Sequence, residues 1–268
     1  MMELRALRRP IPTLLAASLA MVAGCEAPAP PAPRVRVAAA SDLQGAMPVL
    51  AAAFKQDRGI EVDATFGASG QLAEQIRQGA PFDLFLSANR GFVDRLVESK
   101  SIRADSVRPY ARGHLVMVVH SSFGLSIKTM DDLKGDQVKA IAIANPETAP
   151  YGMAAKQALG RAGLWEALKP KIVPAESVGQ ALQFVRTGNA EVGFVGRALA
   201  DGPGLEVVPI PLDACDPIIQ AMGQVEGPDT RRDEARAFAD FLLGETGQGI
   251  LRSLGFAKVP PSSTAGAH

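Results

Sequence analysis

Thr65-Phe66-Gly67-Ala68-Ser69-Gly70-Gln71-Leu72 is the stretch on which the reading of this chain turns. An apolar strand end runs into two glycines flanking a serine, and Leu72 and Ile76 then fall on one face at helical spacing. The first N–H groups of a helix have no intrahelical carbonyl, and here they lie beside a hydroxyl at the positive end of the helix dipole. An anion is the natural guest of such a turn.

Outward from this turn, strands alternate with helices. Residues 35–39 form a short apolar strand, Ser41-Asp42 follow, and Leu43, Met47, Leu50 and Phe54 line one side of a helix whose distorted first turn holds Pro48. Gly59 ends that helix, residues 60–66 are the next strand, and Gly79 stops the helix after Ser69. Residues 82–86 and 139–144 read as strands, and 92–98 as a short helix. Asn145-Pro146 through Pro150-Tyr151-Gly152 leads into a helix bearing Ala155, Ala158 and Leu159. Residues 171–173, the turn Glu176-Ser177-Val178, a helix with Leu182 and Val185, and a strand at 191–195 complete a second series. Residues 115–120 and 218–225 suit crossing strands, 205–211 leads back, and 231–254 reads as closing helices.

Two similar α/β halves result, each expected to hold a mostly parallel sheet flanked by helices, with two hinge crossings. The boundaries predicted are 34–112 plus 217–260 for lobe 1, 113–216 for lobe 2, and a disordered tail at 261–268. Four turns share one form, a strand end opening a helix, at Ser41, Ser69, Tyr151 and Val178. Two belong to each half, so a cleft between lobes would receive helix starts from both sides, with no lysine or arginine at any mouth. If about seven hydrogen bonds to a charged guest each contribute roughly 1.5 kcal/mol, the gross gain is about 10 kcal/mol. After desolvation and closure, that supports micromolar binding or tighter.

The charge balance, 28 basic against 28 acidic side chains, provides no field for nucleic acid. Apolar residues make up 47% of the chain, ample for a core. At the N-terminus Arg5, Arg8 and Arg9 precede an apolar run over residues 11–23 that is too short to remain as a membrane span. Residues 1–24 are therefore expected to be a signal peptide. Val22-Ala23-Gly24-Cys25 resembles a bacterial lipobox, which would make Cys25 the lipidation site and anchor the exported protein by acyl chains. Residues 26–33 are a Pro-rich tether. Cys215 is then left alone, expected as a small half-buried apolar side chain. His114, His120 and His268 lack metal spacing, and no serine has a nucleophile-elbow context, so no enzyme is indicated. Asp83 is expected to secure its loop, and the lone Trp165 to pack on the second lobe.

Five segments in order carry a resemblance: Val37-Ala38-Ala39-Ala40-Ser41-Asp42-Leu43; Phe66-Gly67-Ala68-Ser69-Gly70; the run from Gln78-Gly79-Ala80-Pro81-Phe82-Asp83 to Ser87-Ala88; Asn145-Pro146 to Tyr151-Gly152; and Gly188-Asn189-Ala190-Glu191-Val192-Gly193-Phe194-Val195. Together, over residues 35–260, they look like the molybdate-binding proteins of bacterial ABC importers, which have the type II periplasmic-binding-protein fold. The resemblance implies a tetrahedral molybdate or tungstate held without counter-charge, no cofactor, and a membrane permease as partner. It further implies a monomeric receptor in the periplasm or on the outer face of the cytoplasmic membrane. Ser41 and Ser69 would supply hydroxyl and main-chain donors, and Tyr151 and Val178 main-chain N–H groups. Some relatives offer a tyrosine hydroxyl where this chain has Gly196, so the missing donor is assigned to the main-chain N–H of Asp42. The Asp42 carboxylate is expected to turn away and support the helix start, since it would repel an oxyanion. Facing inward, it would instead accept a proton from a ligand such as hydrogen phosphate. Sulfate, thiosulfate or phosphate is the alternative ligand class.

Overall fold

The computed structural model describes residues 32–259. The expected signal peptide, Cys25, most of the expected tether and the expected tail from residue 260 lie outside the described residues. Two five-stranded sheets organise the rest. The first runs β2 (Glu61–Gly67), β1 (Arg34–Ala40), β3 (Leu84–Ser87), β10 (Ile218–Gln224), β4 (Arg108–Gly113). The second runs β7 (Ile172–Ala175), β6 (Ile141–Ala144), β8 (Val192–Gly196), β5 (Leu115–His120), β9 (Leu205–Pro209).

Both sheets are mixed, and in each a single strand runs against the other four. β10 is antiparallel to β3 and β4, and β5 is antiparallel to β8 and β9. The reason lies in the connections. β5 follows β4 after His114 alone, and β10 follows β9 after residues 210–217, so these are the strands by which the chain enters from the other lobe. A strand entering at the cleft runs away from it, whereas the native strands of each lobe run toward it. The carboxyl ends of β1, β2, β3, β6, β7 and β8 therefore collect at the cleft, where ligands of open α/β sheets bind.

In lobe 1, α1 (Met47–Arg58), α7 (Arg232–Leu243) and α8 (Glu245–Ser253) cover one side of the sheet, with Phe54 of α1 lodged 4.9 Å from Phe238 and 5.3 Å from Phe241. α2 (Ser69–Arg77) and α3 (Arg90–Glu98) cover the other side through Leu72, Ile76, Phe92, Val93 and Leu96. In lobe 2, α4 (Pro150–Arg161), the short α5 (Trp165–Leu168) and α6 (Val178–Arg186) enclose a core in which Trp165 is partly buried. Asp83, fully buried, accepts from the Arg36 guanidinium and main chain and from the main-chain N–H of Arg231, tying β1 to the entry of α7.

The Ser41 turn differs from the expected helix start. Residues Ser41–Leu43 form one 3-10 turn, and the α-helix begins only at Met47. Pro48 fixes this: proline is tolerated in a helix's first turn but not deeper, so the α-helix cannot start as early as Leu43. Gly59 and Gly79 take the left-handed conformation at the helix ends, as expected, at φ 69° and 88°.

Candidate functional site

One small cavity at the cleft is lined by Ala40, Ser41, Asp42, Gly67, Ala68, Ser69, Ala88, Ala149, Pro150, Tyr151 and Val178. All five residues singled out from the sequence lie on its wall. It is small and closely walled, so it suits a compact guest rather than an extended organic solute. No lysine, arginine or histidine lines it.

The candidate donors come from four chain segments. Ser41 follows β1 and is buried. Ser69 is the first residue of α2, fully buried, and its Oγ accepts the Ala88 N–H at 3.0 Å. With its lone pair engaged there, the hydroxyl proton is free to donate elsewhere, and Ser69 lines the cavity. Tyr151 is the second residue of α4 and Val178 the first of α6, positions whose N–H groups have no intrahelical acceptor. The residues preceding α2 and α4 are Ala68 and Ala149, which provide no side-chain cap, whereas Asn89 caps α3 and Ser177 caps α6. Alanine is a poor N-cap, so two of the helix starts at this cavity leave their dipole ends uncompensated by the protein. One N–H of the opening turn is spent differently: Gly70 donates to the Thr148 carbonyl at 2.8 Å, a main-chain bond from lobe 1 to lobe 2.

The Asp42 carboxylate departs from expectation. It does not turn away to support the helix start, and no side-chain cap is made there. Instead Oδ2 accepts from the Tyr151 hydroxyl at 3.0 Å and from Gln220 Nε2, while Oδ1 is buried with no partner. The physical reason is donor supply. Tyr151 and Gln220 reach Asp42 from α4 and β10, and together they compete better for a buried carboxylate than one helix end does. Gln220 in turn accepts the Tyr110 hydroxyl at 2.6 Å, so a buried chain of polar groups runs from β4 through β10 to the turn after β1 and to α4. Burial pushes the Asp42 carboxyl up to about 7, against the opposing pull of Gln220, Tyr151 and the main-chain N–H groups of Asp42 and Leu43. Burial, and then the nearby Asp42, push both phenols well above their ordinary value.

Glycines make room for the phenol. A Cβ at Gly196 would stand 2.9 Å from Tyr151 Cζ, and one at Gly113 would stand 2.1 Å from its hydroxyl oxygen. Gly196 therefore does not leave a gap, because the ring of Tyr151 fills the space beside it. Gly196→Ala is expected to lower stability by about 1–3 kcal/mol through overpacking, read as a fall in Tm, since the pinned ring has nowhere to retreat. An unchanged Tm would mean that the ring moves freely.

Sequence reasoning missed Gln220, Tyr110 and Gly113. The signal for Gln220 was its position as the lone polar side chain in Ile218-Ile219-Gln220-Ala221-Met222, where it is fully buried. Elsewhere, Cys215 is a free, buried thiol. Among the described residues no helix is long and apolar enough to cross a membrane, and no cluster of side chains suits a metal ion.

This two-lobed fold, with a cleft of hydroxyls and helix starts that no basic side chain lines, defines a solute receptor. The chain belongs to the bacterial extracellular solute-binding proteins, whose family model matches residues 35–257. It is 37% identical to the molybdate-binding protein ModA of Azotobacter vinelandii over 250 residues, 89% of this chain and 95% of that protein. With ModA of Escherichia coli it shares 34% identity, covering 83% and 88% of the two chains. The structure of the Azotobacter vinelandii periplasmic molybdate-binding protein superposes with a TM-score of 0.79 at 30% identity, over 84% of this chain and all of that one. The sulfate-binding protein SubI of Mycobacterium tuberculosis, at 20% identity and a TM-score of 0.74, shares the fold.

Proposed function

We propose that this protein captures molybdate outside the cytoplasmic membrane and delivers it to the permease of an ABC importer. The observation that carries this is the cavity itself, whose wall joins Ser41 and Ser69 from one lobe with the helix-start residues Tyr151 and Val178 from the other, with no basic side chain. Each lobe supplies half of the donors, so the closed form alone satisfies the anion fully, and binding energy is converted into closure. Tungstate, of the same charge and shape, is taken by the same donors. The protein works by binding and release, without turnover and without a cofactor, as a monomer. The relatives named ModA support this ligand, and a Bacillus subtilis relative at 30% identity, named a putative ABC transporter substrate-binding lipoprotein, supports an acyl anchor at Cys25.

Calorimetry with molybdate on the purified protein tests the reading. One anion per chain at micromolar affinity or better is expected, with sulfate and phosphate failing to displace it at comparable concentration. No heat with molybdate, or equal displacement by sulfate, overturns it.

A further inference from the structure

The buried carboxylate on the cavity wall is a puzzle for any anion receptor, because a dianion and an ionised Asp42 would repel each other across a site that holds no cation. The hydrogen bonds show how the conflict is resolved. Both side-chain donors that reach Asp42, the Tyr151 hydroxyl and the Gln220 amide, converge on Oδ2, the main-chain N–H groups of Asp42 and Leu43 lie near the carboxyl as well, and Oδ1 is left buried with no hydrogen-bond partner. A carboxylic acid has this division of labour: one oxygen accepts, and the other carries the proton and needs an acceptor. Resting on the functional reading above, we propose that Asp42 is protonated in the anion-bound state and donates its Oδ1–H to a ligand oxygen, so that capture above neutral pH takes up one proton. The proton comes from solvent; the carboxylate becomes the neutral acid, and no other bond is made or broken.

The groups that face Asp42 leave it as the one that titrates. Tyr151 of α4 touches it directly, and Tyr110 of β4 faces it through Gln220 of β10. Both phenols are held well above their ordinary value by burial, so they stay neutral. His114, in the link between β4 and β5, is pushed down by burial and by Arg112. The free-protein carboxyl sits at about 7, which places the onset of uptake there. Below this value the acid is already formed and binding needs no proton. Above it, each pH unit is expected to weaken binding about tenfold, the slope for one linked proton.

The test is calorimetry with sodium molybdate at pH 6 and pH 8 in buffers of different ionisation heat, which counts protons directly. Uptake near zero at pH 6 and near one at pH 8 is expected. In Asp42→Asn, whose amide donates without a titrating proton, uptake is expected to vanish and affinity to become flat with pH. Zero uptake by the parent protein at pH 8 overturns the inference while leaving the molybdate reading intact. Undiminished uptake in Asp42→Asn also overturns it, by placing the proton on the anion. Absence of molybdate heat at every pH overturns both.

Discussion

Asp42→Asn is expected to make the ligand-free protein more stable at pH 8, by up to about 4 kcal/mol. The figure follows from a carboxyl that titrates at 3.8 when solvated and at about 7 in the fold, at 1.36 kcal/mol per unit. The sign follows from proton occupancy. The folded state holds this proton more tightly than the unfolded chain, so the group's stabilisation is complete below pH 4 and is lost as pH rises toward 7. Above that the parent protein carries a buried charge whose Oδ1 has no partner. The amide removes the charge while its oxygen can still accept from Tyr151 and Gln220. Calorimetric Tm measured from pH 4.5 to 8.5 should show the variant's advantage growing with pH and closing at the acid end. A constant difference across that range would refute the assignment.

The largest loss of binding is expected from Ser41→Ala combined with Ser69→Ala. Each removes a donor to a buried anion, roughly 1.5–3 kcal/mol, or about ten- to a hundredfold in Kd. Added together they approach about 10²- to 10⁴-fold if the two sites act independently. The single variants should differ in stability. Ser69 Oγ accepts the Ala88 N–H, so its removal strands a buried donor and costs about 1–3 kcal/mol of folding free energy as well. The Ser41 hydroxyl is not engaged in this way, so Ser41→Ala should weaken binding with little change in Tm. Unchanged molybdate affinity in both would show that the anion binds elsewhere.

Much of this was legible in the chain because it is written locally. A strand end, a small residue and an amphipathic segment lie within a dozen positions of one another around Ser69, and the same grammar recurs at Tyr151 and Val178. Lobe-forming strands and most helix stops follow from such short-range patterns. The Ser41 helix start was misjudged by a local rule given too little weight, the limit that Pro48 sets. The Asp42 orientation was not legible at all. Its donors lie 109 and 178 residues away, so only the closed arrangement of both lobes reveals where the carboxylate goes. Reasoning from repulsion alone turned it outward, because the possibility of a neutral acid depends on burial that a sequence does not display. The antiparallel strands escaped notice for a similar reason, since direction within a sheet depends on which lobe a strand enters from.

The fit of Tyr151 between Gly113 and Gly196 has an evolutionary corollary. This chain brings its phenol in from the first turn of α4, and a side chain at position 196 would compete with it for the same volume. Positions 151 and 196 are thus expected to vary together: a bulky residue at one is better tolerated with a small residue at the other.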